Sequence, residues 1–184
     1  MVCHKLCGIA WQYIMSERIA VCPGSFDPIT MGHIDIIKRA SAVFDKVIVA
    51  VMTNTAKVPT FSAEQRLDMI NRSLDGVCDN VECEIFGGLL ADYVRQKNAC
   101  AIVKGLRAVS DFEYEFQLAL INKKINPGAE TLFFTTSAEN MYLSSSVVRS
   151  VASVGGDISP FVPECIIEDI RSKFSKGTAP NDNG

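Results

Sequence analysis

Pro23-Gly24-Ser25-Phe26-Asp27-Pro28 runs straight into Ile29-Thr30-Met31-Gly32-His33, and the way this stretch joins a strand to a helix decides the fold. Upstream, Arg18-Ile19-Ala20-Val21-Cys22 is a short apolar run with the signature of a buried strand. Gly24 lets the chain turn sharply where a side chain would block a ligand. Downstream, Gly32-His33-Ile34-Asp35-Ile36-Ile37 carries apolar residues at helical spacing, which puts His33 in a first helical turn. Free N–H groups and the helix dipole favour anions there, and an imidazole can donate to a phosphoryl oxygen. The stretch therefore reads as a phosphate site. It is a different one from the two commonest, because the chain has no G-x-x-x-x-G-K-[ST] and no G-x-G-x-x-G after this strand.

Working outward, apolar strand runs alternate with helical patterns. Lys46 to Met52 is β-branched and apolar throughout, as a strand covered on both faces is. Ser62-Ala63-Glu64-Gln65 is a capping-box pattern that opens a helix running through Leu74. Val81 to Phe86 alternates and predicts a strand near an edge. Leu89 to Lys97 predicts a short helix, Cys100 to Val103 a fourth strand, and Ser110-Asp111-Phe112-Glu113 a second capping box on a helix ending near Ile125. Leu132 to Thr135 is a fifth strand. Two helices follow, from Ser144 to Val154 and from Pro163 to Phe174. This order predicts an α/β fold with a doubly wound, five-stranded parallel sheet, Rossmann-like, over residues 18–175. Residues 1–17 read as an extension outside the fold, and 176–184 as a polar, disordered tail.

The bulk numbers agree with one globular domain: 184 residues, 48% hydrophobic and 21% charged. A net charge of −3 and a pI near 5.4 argue against a nucleic-acid partner. No stretch is long and apolar enough to predict a membrane span. Seven cysteines (Cys3, Cys7, Cys22, Cys78, Cys83, Cys100, Cys165) form no C-x-x-C pair. They read as reduced thiols in apolar surroundings, hence a cytoplasmic protein with no metal cluster.

In such a sheet ligands lie outside the carboxyl ends of the strands. The segments expected there are Pro23 to His33, Thr53 to Pro59, Gly87 to Leu90, Lys104 to Arg107 and Ser137 to Ser146, and the polar, Gly-rich and cationic residues collect in them. Lys57 stands opposite His33 in this scheme. Lys104-Gly105-Leu106-Arg107 joins a permissive glycine to two cations, and Arg107 can grip phosphate oxygens with a forked pair of hydrogen bonds. Leu143-Ser144-Ser145-Ser146-Val147-Val148-Arg149 places three hydroxyls at a helix start with a basic residue one turn inside. Taken alone, a serine run is more often a helix cap, and a loop lysine or a lone histidine more often structural. Asp27 and Asp35 are assigned to turn and cap roles, since a fixed anion beside a triphosphate would repel it.

The G-[ST]-F-D-P and x-G-H elements resemble the nucleotidylyltransferase superfamily, and the serine turn resembles its second signature, I-S-S-[ST]-x-x-R. From Arg18 to about Phe174 the chain is similar to the phosphopantetheine adenylyltransferase family. Pro23 to His33, Lys57-Val58-Pro59-Thr60-Phe61-Ser62-Ala63-Glu64-Gln65-Arg66 and Gly105 to Gln117 carry that resemblance. Two departures stand out: Ser25 replaces a frequent threonine, and Lys104 a usual arginine, which loses the guanidinium fork.

The resemblance implies a transfer of AMP from ATP to 4′-phosphopantetheine, giving dephospho-coenzyme A and pyrophosphate by in-line attack without a covalent intermediate. It implies that Ser25, Phe26, His33, Gly105, Leu106, Arg107, Glu115, Asn140, Met141, Tyr142, Leu143, Ser144, Ser145 and Ser146 meet ATP. Ser25, Lys57, Leu90 and Lys104 are expected to meet the acceptor, with His33 and Lys57 catalytic, Mg²⁺ arriving with ATP, and a homohexamer. Two alternatives stay open: a nucleotidylyltransferase with another phosphate acceptor, and a non-catalytic nucleotide-binding regulator. A redox enzyme is the weakest reading, since the dinucleotide glycine pattern is missing.

Overall fold

In the computed structural model, which describes residues 17–53 and 58–175, five strands form one parallel sheet in the order β3-β2-β1-β4-β5. They are β1 (Ile19–Gly24), β2 (Lys46–Thr53), β3 (Val81–Gly87), β4 (Ala101–Leu106) and β5 (Glu130–Thr135). Six α-helices accompany them: α1 (Met31–Ser41), α2 (Ala63–Leu74), α3 (Leu90–Gln96), α4 (Val109–Ile125), α5 (Ser145–Ser153) and α6 (Ile167–Ser175). The expected α/β, doubly wound architecture is what the chain adopts.

The apolar strand runs are explained by the two cores. Ala20, Cys22, Val47, Val49, Val51 and Val103 face one side, beneath Ile34 and Ile37 of α1, Ile70 of α2, Val148 of α5 and Ile170 of α6. Val21, Ile48, Ala50 and Ile102 face the other, against Tyr93 and Val94 of α3. Each fully buried Val or Ile contributes roughly 1.5–3 kcal/mol relative to exposure. With both faces covered, β1 and β2 gain nothing from alternation. β3 lies at the sheet edge and does alternate: Glu82 pairs with Lys46 at 2.7 Å, and Glu84 takes hydrogen bonds from Tyr93 and Lys97.

From β1 the chain moves outward through α1 and α2 to β3, then crosses back over the opposite face to β4 and β5. The direction of winding changes between β1 and β4, which is where a crevice opens in such sheets.

Several local expectations are corrected. β4 continues to Leu106, so Lys104, Gly105 and Leu106 sit in the strand and not in a loop after it. The Ser110–Glu113 capping box does not form: α4 starts at Val109, Ala108 is its N-cap, and no side chain caps it. The Ser62–Gln65 box does form, in both directions. Pro163 precedes a short 3₁₀ turn, Glu164–Ile166, before α6. Asp35 caps nothing and instead pairs with Arg39 at 3.4 Å on the surface of α1. Among the described cysteines all are free, Cys22 is buried, and Cys100 and Cys165 are exposed. The proposed extension, apart from Glu17, and the tail fall outside the described residues.

Candidate active site

A cleft of about 550 Å³ opens over the carboxyl ends of β1 and β4, at the change of winding. Its walls come from the Cys22–Phe26 segment, the first turns of α1 and α5, the end of β4, and Asp111, Tyr114 and Glu115 of α4. Gly105 lets α1 approach β4, since a Cβ there would come within 3.0 Å of Ile36.

His33 is the third residue of α1. The Thr30 hydroxyl accepts from the His33 backbone N–H, and the Thr30 backbone N–H donates to His33 Nδ1 at 3.1 Å. A nitrogen that accepts from a main-chain N–H carries no proton, so the neutral ring carries its proton on Nε2. Burial, and then the positive charge of Arg107, pulls the imidazole pKa down to about 4. At neutral pH His33 is therefore an uncharged donor, held at a helix N-terminus that supplies about half a positive charge of its own. Phe26 packs edge-on against it, with ring centroids 5.1 Å apart.

Arg107 is held by two neighbours. Its Nε lies 3.1 Å from Asp111 Oδ2, one turn along α4, and Nη1 donates to the Leu143 carbonyl at 3.2 Å. Lys104 faces the same cleft and pairs with Glu115 at 3.2 Å, both side chains being largely buried. On the opposite wall Ser144 caps α5 by accepting from the Val147 N–H, and its hydroxyl lies 2.9 Å from that of Ser146. Ser145 donates to the Pro28 carbonyl at 2.7 Å. The serine turn is thus a helix cap that also faces the cleft.

The cleft brings together Ser25, Phe26, His33, Lys104, Gly105, Arg107, Glu115, Asn140, Leu143, Ser144, Ser145 and Ser146. Leu106, Met141 and Tyr142 do not line it; Tyr142 is exposed and lies edge-on to Phe161. Leu90 packs with the core on the far face of the sheet, beside Phe86. Lys57 lies outside the described residues.

Residues absent from the sequence assignment also matter. Thr30, Asp111, Tyr114 and Arg149 line the cleft. Arg149 donates to the Asp27 carbonyl, and its Nη1 stands 3.6 Å from the Asp27 carboxylate. Asp27 in turn accepts from the Thr60 and Phe61 N–H groups at 2.9 Å each, so in place of the expected turn role it ties its loop to the segment before α2. The signal for Arg149 was present, as the basic residue one turn inside the serine helix. Asp111 shows only as an acidic residue four positions after Arg107.

The cytidylyltransferase-like family model matches residues 21–151. A phosphopantetheine adenylyltransferase of Caldanaerobacter subterraneus subsp. tengcongensis is 54% identical over 159 residues, covering 86% of this chain and 99% of that one. Another, of Clostridium tetani, is 57% identical over 156 residues, covering 85% and 97%. Among solved structures, a putative nicotinate-nucleotide adenylyltransferase from Vibrio parahaemolyticus superposes with a TM-score of 0.66 at 17% identity, over 84% of this chain and 99% of that one. The Plasmodium falciparum nicotinic acid mononucleotide adenylyltransferase complexed with NaAD gives 0.64 at 14%, over 88% and 96%. At such identities these two likenesses bear on the fold alone.

Proposed function

This chain belongs to the phosphopantetheine adenylyltransferase family, whose enzymes transfer AMP from ATP to 4′-phosphopantetheine in coenzyme A synthesis, and we propose that it does so by direct in-line displacement at the α-phosphorus. The acceptor's phosphate attacks, the bond to the pyrophosphate oxygen breaks, and dephospho-coenzyme A and pyrophosphate leave. A phosphate monoester is already an anionic nucleophile at neutral pH, so no general base is required. Positioning and charge stabilisation carry the rate.

The observation that carries this reading is the neutral His33 with its proton on Nε2, at the mouth of α1. A half-buried, uncharged donor does not titrate near neutral pH. It serves a non-bridging oxygen whose charge grows in the transition state. Arg107, preset by Asp111 and the Leu143 carbonyl, and the capped serine turn would hold the leaving pyrophosphate. Lys57 is assigned to the same α-phosphoryl group and Lys104 to the acceptor's phosphate. Leu90, which starts α3 just beyond the end of β3, is assigned to the acceptor's pantetheine arm. Leu106, Met141 and Tyr142 are assigned to ATP. Mg²⁺ would enter on ATP as part of the substrate, carried by its phosphates, while the cleft's two α4 carboxylates, Asp111 and Glu115, are paired with Arg107 and Lys104.

We place the enzyme in the cytoplasm, in keeping with the free thiols of its described cysteines. No helix among the described residues is long and apolar enough to cross a membrane. The net charge of −3 speaks against nucleic acid as a partner. Self-association into a hexamer fits the outer face of α4, where Phe116, Leu120 and Ile121 are exposed.

Incubating the protein with Mg-ATP and 4′-phosphopantetheine, with nicotinate mononucleotide in a parallel reaction, tests the assignment. Dephospho-coenzyme A and pyrophosphate are expected from the first mixture only. Turnover confined to the second would identify another acceptor, and ATP binding without pyrophosphate release would make the protein a nucleotide-binding regulator.

A further inference from the structure

We propose that Arg66 is a positioning residue for the transfer: it holds the Ser25–Phe26 peptide so that Phe26 seats the His33 ring. The inference rests on the reading of His33 given above. Arg66 lies in α2, outside the cleft lining, and is 3% exposed. Its Nη1 donates to the Ser25 carbonyl at 2.6 Å and the Met52 carbonyl at 3.3 Å. Its Nε donates to the carbonyls of Phe61 at 3.1 Å and Ser62 at 3.3 Å. Among the described residues, all the hydrogen bonds of this buried cation go to main-chain carbonyls. It therefore orders backbone, joining the ends of β1 and β2 to the start of α2.

Phe26 follows the strongest of these bonds and has φ 46°, a left-handed conformation that a residue bearing a side chain rarely adopts. Such a conformation persists only where the surroundings over-determine it. Fixing the Ser25 carbonyl fixes the peptide plane from which φ of Phe26 is measured. The ring then turns back over Gly24, where a Cβ would come within 2.8 Å of it, and lies edge-on to His33 with an interplanar angle of 71°. What the missing side chain of Gly24 makes room for is this ring. Phe26, 4% exposed, closes off one side of the imidazole. A lysine at position 66 keeps the charge but replaces the guanidinium fork with a single point donor, so the several carbonyls are no longer held together.

The test is a kinetic cycle on the full chain with Arg66→Lys, Phe26→Leu and the double variant, together with thermal melting of each. Each single change is expected to lower kcat roughly tenfold or more, as a misplacement of about 1 Å does. In Arg66→Lys, KM for both substrates should stay within about threefold, since Arg66 itself touches neither and ground-state contacts remain. If the two residues act through one chain of contacts, the double variant falls no more than about threefold below the worse single variant. Phe26→Leu nearly conserves volume and leaves every Arg66 contact in place, so it tests the chain even should Arg66→Lys fail to fold. In the ligand-free protein, the ring-current shift that Phe26 imposes on the His33 ring protons should diminish in Arg66→Lys, a readout independent of which acceptor the enzyme uses. Multiplicative losses, parental kcat in Phe26→Leu, an unchanged His33 ring-current shift, or an Arg66→Lys effect confined to melting temperature or to one KM would each overturn the proposal.

Discussion

At His33 a helix cap and the proposed active-site donor are the same side chain. Thr30 gives its backbone N–H to Nδ1 and takes the His33 N–H on its hydroxyl, so the bonds that start α1 also choose the tautomer. With the folded pKa near 4 against about 6.5 for a free imidazole, the unfolded chain binds the proton that the folded chain rejects. Stability contributed by the neutral ring is therefore complete above about pH 6.5 and is lost as the pH falls toward 4. We expect the ¹⁵N resonances of His33 in the ligand-free enzyme to show a neutral ring, protonated on Nε2, from pH 8 down to about pH 5. Titration of His33 near 6.5 would make it a cation at working pH and change its role.

At the scale of elements, the ends of strands and helices line the cleft, and some of their caps face it. Ser144 caps α5 while its hydroxyl lies beside Ser146 in the cleft. Ser144→Ala should cost about 1 kcal/mol of stability by loss of the cap. It should also weaken ATP in a steady-state assay, whereas Ser153→Ala, at the far end of the same helix, should leave the KM for ATP unchanged. A parental KM in Ser144→Ala would confine the hydroxyl to capping. This scale also shows what the sequence made legible. Strands buried on both faces and the Ser62–Gln65 box are local patterns, and they were readable because neighbouring residues settle them. The start of α4 was misplaced because Ala108 begins it with no side-chain cap and leaves no signature. Phe26 was named among the ATP residues, but its left-handed backbone and the role of Arg66 were hidden for a different reason: four carbonyls from three segments converge only after folding, and a left-handed phenylalanine has no sequence mark. In the cleft, the residues carried by the two motifs came together, whereas Leu90 lies with the opposite core.

For the molecule as a whole, the sheet leaves one conspicuous surface. α4 bears Phe112, Phe116, Leu120 and Ile121 exposed, and this apolar stripe is where we propose that copies of the chain associate. Leu120→Glu is expected to leave melting of the isolated chain nearly unchanged but shift the mass in sedimentation from an oligomer toward a monomer. Parental mass in that variant would place the interface elsewhere. α4 also supplies Asp111 and Glu115 to the cleft, so association would steady the helix that presets Arg107 and pairs Lys104. The claim on which all of this depends is that His33 acts on the transition state, and the most direct measurement is the kinetics of His33→Ala alongside its ATP affinity. The expected result is a loss of kcat on the order of 10²–10³ from removal of one preorganised donor. ATP should bind within roughly tenfold of the parent, a difference of about 1.4 kcal/mol. Near-parental kcat, or a loss of ATP affinity that accounts for the whole fall in kcat/KM, would contradict it.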